Sequence, residues 1–69
     1  MKVSYDSKYD IIYIKFVEGS REVITRHIDE DIALDFDAEK RLVGMEILSA
    51  SKYLDWESLL PVVYERETA

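Results

Sequence analysis

Residues 9–17 constrain this chain most, because both faces of the segment are apolar. The segment is rich in β-branched and aromatic residues, which predicts a strand. Strand alternation places Tyr9, Ile11 and Tyr13 on one face and Ile12 and Ile14 on the other. A strand that is apolar on both faces is typical of a sheet interior that is covered on two sides. We therefore interpret residues 9–17 as the central strand.

Four further strands and one helix are predicted around this segment. Alternating apolar stretches bounded by polar turns fall at residues 3–5, 22–28, 32–36 and 41–48. The period then becomes helical, with apolar or aromatic residues at Tyr53, Trp56, Leu59 and Leu60. Ser49 or Ser51 is expected to cap this helix, and Pro61 to end it. Asp55 could cap a second short turn, which would break the helix at that residue. The predicted fold class is α+β: an antiparallel meander sheet of about five strands with one C-terminal helix packed on one face.

The chain is short, which limits how it can be stabilised. Its 69 residues are 48% apolar and predict a single domain over residues 1–69. Domains of this size bury only ~60% of their unfolded surface, and the absence of Cys excludes a disulfide. One helix covers only one face of the sheet, so we expect a second copy of the chain to cover the other. The sequence therefore predicts a homodimer.

The charge balance indicates what kind of partner to expect. Nine Lys and Arg residues against fifteen Asp and Glu residues give a net charge of −6. This balance argues against nucleic acid and favours a basic protein partner. No segment approaches the ~18 apolar residues of a membrane span or the core of a signal peptide, so we expect a cytoplasmic protein without membrane contact. For the interface we predict Tyr9, Ile11, Tyr13 and Trp56, with plain core packing as the alternative.

Four short motifs, in order, carry a resemblance to a known family. They lie at residues 5–6, 10–14, 34–37 and 43–48, and together resemble a family of small prokaryotic proteins catalogued as a domain of unknown function (number two-two-eight-three). The resemblance covers roughly residues 3–52 and implies an antiparallel sheet with a C-terminal helix. It carries over no catalytic residue or cofactor, and some members' toxin-like neighbours imply an antitoxin-like binding role. Lys40 departs from the family, where glycine usually closes the turn. If Lys40 is left-handed, its side chain costs about 1 kcal/mol relative to glycine.

Acidic turns supply the candidates for chemistry. If the first and fourth turns lie side by side, Asp6, Asp10, Asp35 and Asp37 gather at one end of the sheet. Such a cluster would suit acid–base catalysis, although turns are also acidic for conformational reasons alone. Because the chain is too small to enclose a cleft by itself, we favour a role without catalysis.

Two further patterns are weaker candidates for a site. Asp35, Asp37, Glu39 and Glu46 match a calcium-loop spacing, but Lys40 stands where that loop needs glycine. His27 lacks an evident nucleophile and is expected to face solvent. We therefore predict no metal and no cofactor. The predicted function is a homodimeric protein-interaction module, of which an antitoxin is one form. The alternatives are a small metal- or ligand-binding protein that uses the acidic turns, or a small enzyme with a carboxylate site.

Overall fold

A computed structural model describes residues 1–19, 22–55 and 58 of the chain. The elements follow the order predicted from the sequence, with five strands before a helix. They are β1 (Lys2–Asp6), β2 (Ile11–Lys15), β3 (Ile24–His27), β4 (Ile32–Phe36), β5 (Leu42–Ile47) and α1 (Ala50–Tyr53). All strand pairs are antiparallel. The predicted α+β class, with an antiparallel sheet and a C-terminal helix, is confirmed.

The strand order is not the predicted simple meander, in which each strand would pair with the next one along the chain, because β2 pairs with β5 and not with β3. The order is β1-β2-β5-β4-β3, so β5 and not β3 lies beside β2. β2 is an internal strand, but β5 is the middle one, and β3 becomes an edge strand. The pairing of β5 explains this order: Ile47 lies opposite Ile12 of β2 on one side and Ile32 of β4 on the other. A row of three isoleucines across three strands is well suited to form the core.

The core lies on the sheet face that packs against α1, which we call the helix face. Ile12 is 0% exposed, and it forms a buried cluster with Ile47 and with Ala50 of the helix. Val3, Ile14, Ile32, Met45 and Leu54 pack around this cluster. The other side of the sheet, which carries Ile11 and Tyr13, is the opposite face.

The predicted helix is broken at Asp55: Leu54 is extended, and Ser58, which is helical again, donates its hydroxyl to Asp55 at 3.0 Å. The first part, α1, is short and is capped differently from the prediction. It comprises four residues, Ala50–Tyr53. Ser49 stands at the N-cap in the left-handed region, with φ of 52°, and its side chain makes no capping hydrogen bond. The predicted helical positions Trp56, Leu59 and Leu60 lie outside the described residues. A helix this short is held by contacts with the rest of the fold, because isolated helices of one turn are not stable.

Candidate functional site

The turn between β1 and β2 attaches the helix to the sheet through Asp10. The Asp10 carboxylate accepts hydrogen bonds from the Tyr5 hydroxyl (2.7 Å), the Ser51 hydroxyl (2.6 Å) and the Ser51 backbone N–H (3.2 Å). The Asp10 carbonyl oxygen accepts a bond from the Ala50 N–H at 2.8 Å. The Ser51 hydroxyl, followed by that of Tyr5, lowers the pKa of Asp10 below its ordinary value. Asp10 thus performs the capping that the sequence assigned to a serine.

The turn between β4 and β5 is organised by Asp37, whose exposure is only 6%. One carboxylate oxygen accepts the backbone N–H groups of Glu39 (2.9 Å) and Arg41 (3.0 Å), and the other accepts Arg41 Nε at 3.0 Å. The bond from the Arg41 backbone is the main reason that the pKa of Asp37 is lowered. Lys40 has a φ of 66°, so the left-handed conformation suspected from the sequence is present. The turn is therefore an Asp-centred structural unit that carries one strained residue.

A polar cluster lies on the opposite face where β5 has a glycine. The Tyr13 hydroxyl donates to Asp35 at 2.8 Å, and the Thr25 hydroxyl donates to the other Asp35 oxygen at 2.5 Å. A Cβ at Gly44 would stand 2.0 Å from the Tyr13 hydroxyl oxygen, so only glycine leaves room for the Tyr13 ring at this position. Burial, and then the Asp35 carboxylate, raises the pKa of Tyr13 to about 12. At neutral pH this phenol remains a hydrogen-bond donor and not a base.

The four predicted acidic residues do not form one cluster. Asp6 and Asp10 lie in or next to the β1–β2 turn, beside the start of β2 at Ile11. Asp35 lies at the level of Lys15, four residues further along β2, because both are register partners of Gly44. At ~3.4 Å per residue, that separation is about 14 Å along the strands. The first and fourth turns therefore lie at opposite ends of the sheet.

A different acidic turn brings carboxylates together. The side-chain oxygens of Asp29, Glu30 and Asp31, in the β3–β4 turn, lie within 4.8 Å of one another. Asp31 also accepts the Tyr53 hydroxyl at 2.7 Å, and this bond is the main reason that the pKa of Tyr53 is raised to about 12. Asp29 accepts the backbone N–H of Asp31 at 3.3 Å. These hydrogen bonds explain why the three carboxylates lie close together. They stabilise the β3–β4 turn and attach it to the end of α1.

The residues of the calcium-loop pattern lie in different settings. Asp35 is bonded to Tyr13 and Thr25, whereas Asp37 is bonded to the turn backbone and Arg41. Glu39 forms an ion pair with Arg41 on the surface. Glu46 lies within β5, paired with residues of both neighbouring strands. The pattern follows a hairpin and the strand after it, without the flanking helices of a calcium loop.

The predicted interface residues fall into three groups. Ile11 and Tyr13 are half-buried on the opposite face, and the Tyr13 hydroxyl is already bonded to Asp35. Tyr9 lies in the β1–β2 turn, is 63% exposed, and has the Lys8 ammonium 5.3 Å from its ring centre. Trp56 lies outside the described residues. Their role at an interface stays a prediction.

The sequence reasoning missed one surface of the described residues that carries highly exposed apolar side chains. It surrounds β3, where Ile24 is 62% exposed and Ile28 is 64% exposed. Beside Ile24 is a shallow cavity of about 370 Å³, whose lining includes Phe36 and the cationic residues Arg26 and Lys40. His27, on the same strand, faces solvent as expected. The clue in the sequence was the polar face of residues 22–28, which suits an edge strand better than an internal one.

Comparison with known proteins identifies the family. The family model described as "Protein of unknown function (DUF2283)" matches residues 2–51. The chain belongs to the DUF2283 family. The matched region contains all five strands and the first two residues of α1. The resemblance noted from the short motifs is thereby confirmed.

One curated relative of this DUF2283 chain is "Uncharacterized protein MJ0789" from the archaeon Methanocaldococcus jannaschii. It is 40% identical over 52 residues, which are 75% of the present chain and 43% of the relative. The DUF2283 chain thus spans less than half the length of this relative. The search of solved structures gave no match. Within the described part of the DUF2283 chain, no helix is both long and apolar enough for a membrane crossing.

Proposed function

We propose that this DUF2283 chain is a homodimeric protein-interaction module of the cytoplasm. The observation that carries this proposal is the apolar surface at the sheet edge, where Ile24 and Ile28 are each more than half exposed. Large exposed apolar side chains are typical of association sites. These two project from the same face along an edge strand, which is itself a common site of association.

The acidic and tyrosine residues support an interaction role over a catalytic one. Asp10, Asp35 and Asp37 each accept two or more hydrogen bonds that hold turns, strands or the helix in place. Tyr13, with a pKa of about 12, is a poor base at neutral pH. The enzyme and ligand-binding alternatives would need such groups to be available to a substrate or ion.

A basic protein is the second partner that we propose for the dimer. The net charge of −6 would attract such a partner and increase its rate of association. An antitoxin that covers a basic toxin-like protein is one form of this role, and it is suggested by the family resemblance. Association with a purified partner should weaken as salt is added, because screening shortens the range of the attraction. An affinity that is independent of salt would contradict steering by charge.

The dimer is tested by light scattering on the full chain over a micromolar concentration series. We expect a mass of twice the 8.1 kDa of the chain, falling towards 8.1 kDa on dilution. A mass of 8.1 kDa throughout the series, with a cooperative unfolding transition, would contradict the dimer. A melting temperature that rises with millimolar calcium while the mass stays at 8.1 kDa would favour the metal-binding alternative.

A further inference from the structure

The edge strand β3 presents an unpaired row of backbone groups. All four of its residues, Ile24–His27, are exposed, and β4 is its only neighbour in the sheet of described strands. An edge strand of this kind is a template for another strand. Few charges protect it, since Arg26 is the only residue of β3 that is always charged.

The hydrogen-bond pattern fixes which backbone groups face outwards. The Ile28 N–H donates to the Ile32 carbonyl at 2.9 Å and closes the ladder between β3 and β4. Antiparallel ladders bond at every second residue, so Arg26 and Ile24 also direct their backbone groups towards β4. Thr25 and His27 therefore direct theirs towards the free edge, and Val23 continues this series. A strand added at this edge must bond to these residues.

A second copy of β3 matches the edge in one particular register. With the dyad at Ile24, each Val23 lies opposite the other copy's Thr25, and the outward backbone groups of both residues pair. Glu22 then lies opposite Arg26 on both sides of the axis, and Ile24 lies opposite Ile24. These last pairs are the non-hydrogen-bonded kind, in which facing side chains are closest.

Shifted registers are worse matched in charge. Moving the dyad to Arg26 places two arginines opposite each other and two glutamates, Glu22 and Glu30, opposite each other. Moving it to Thr25 places each Arg26 opposite an Ile24. Like charges directly opposite each other in a sheet are destabilising. Of these three registers, only the one with Ile24 on the dyad pairs opposite charges with each other and apolar residues with each other.

Resting on the dimer proposed above, we infer that two copies join by antiparallel pairing of their β3 edges. Ile24 lies on the two-fold axis, and Glu22 of each copy forms an ion pair with Arg26 of the other. Neither Glu22 nor Arg26 has an ion-pair partner within the described residues. The pairing extends the sheet across the axis and brings together the two apolar surfaces beside Ile24, including the cavity next to Phe36.

The other edge strand, β1, provides a matched comparison. It also carries opposite charges, at Lys2 and Asp6, in positions that would face each other across a dyad at Ser4. The Asp6 carboxylate, however, already accepts the backbone N–H groups of Lys8 (2.9 Å) and Tyr9 (3.3 Å). Val3 is half-buried against the core. We therefore assign the contact to β3 and use β1 as the control.

The test is a charge exchange, read as the dimer dissociation constant by sedimentation equilibrium of the full chain. Arg26→Glu and Glu22→Arg should each weaken the dimer by about tenfold or more, since each places like charges opposite each other twice. The double variant E22R/R26E restores the opposite-charge pairs and should return the constant to within about threefold of the original. The control Lys2→Glu should leave it unchanged.

A backbone variant gives an independent readout. Thr25→Pro removes an N–H that faces the free edge and has no ladder bond within one copy. The substitution also removes the exposed Thr25–Asp35 hydrogen bond, so Thr25→Val, which loses that bond but keeps the N–H, is its control. We expect both variants to be folded by circular dichroism and only Thr25→Pro to lose the dimer. A dimer insensitive to the charge exchange and to Thr25→Pro, or sensitive to Lys2→Glu instead, would overturn the β3 contact and leave the proposed dimer intact. A chain that never dimerises would overturn both.

Discussion

Ile12 and Ile24 are the same residue type on the same face of one sheet, yet their surroundings are opposite. Ile12 lies in β2 between two strands and beneath the helix, and it is 0% exposed. Ile24 lies in the edge strand β3 and is 62% exposed. The difference comes from strand order, because β5 pairs with β2 and leaves β3 at the edge. The interior of the sheet thus provides stability, and the β3 edge is the surface at which we propose association.

Truncating the two isoleucines should separate these roles most strongly. Ile12→Ala removes a fully buried side chain and should lower the free energy of unfolding by about 2–5 kcal/mol. Ile24→Ala should change the stability of the monomer by less than about 0.5 kcal/mol, as expected at an exposed site. Urea unfolding at a concentration where the chain is monomeric measures both. Equal losses would mean that Ile24 also belongs to the core.

The close approach at Gly44 tests the opposite face. Gly44→Ala would place a Cβ 2.0 Å from the Tyr13 hydroxyl oxygen, so the ring must move and its bond to Asp35 is lost. We expect a loss of about 1–3 kcal/mol by urea unfolding, typical of overpacking. The same substitution should cost less in a Tyr13→Ala background. An equal cost in both backgrounds would show that Tyr13 is not the obstacle.

The strained turn residue should give a gain in stability. Lys40 has a φ of 66°, so Lys40→Gly relieves the steric cost and should raise the free energy of unfolding by about 1 kcal/mol. Lys40→Ala distinguishes the effect of backbone strain from the effect of the charge, because alanine removes the ammonium group but keeps the Cβ. It should give little or no gain. Equal gains from both variants would identify the ammonium, and not the backbone, as the source.

Acid should weaken the attachment of the helix. The pKa of Asp10 is lowered in the folded chain, chiefly by the Ser51 hydroxyl. Its contribution to stability is therefore complete above the ordinary value of 3.8 and is lost as pH falls through the lower folded value. The urea midpoint of Asp10→Asn should fall less steeply than that of the original chain between about pH 4 and pH 2. Ser51→Ala should behave in the same direction, and unchanged slopes would contradict the role of this bond.

The sequence predicted the elements better than their arrangement. The alternation of apolar and polar residues predicted all five strands, because it shows which side of a strand is apolar. The family resemblance implied the same antiparallel sheet. Alternation does not record which strands are neighbours, so the position of β5 beside β2 was missed. The edge position of β3 and the separation of Asp10 from Asp35 both depend on this strand order, so they were missed as well.

Local chemistry was predictable where it depends on neighbours in the chain. The acidic turns are an example, since the carboxylates of Asp6 and Asp37 each accept a backbone N–H two residues further along their own turn. The left-handed conformation of Lys40 was suspected from the family resemblance. The cap of the helix was not predictable, because Asp10 reaches it from a turn 41 residues away. Long-range polar contacts of this kind leave no periodic signal in the sequence.

The most direct test of the edge contact is amide hydrogen exchange of β3 as a function of chain concentration. Above the dissociation constant of the dimer, the amides of Thr25 and His27 should differ. Thr25 should become protected, because its N–H enters the new ladder, while His27 lies towards the end of the pairing and should gain less. The Arg26 amide, which faces β4, should keep its protection at all concentrations. Rapid exchange at Thr25 in a solution whose mass is that of a dimer would contradict the contact.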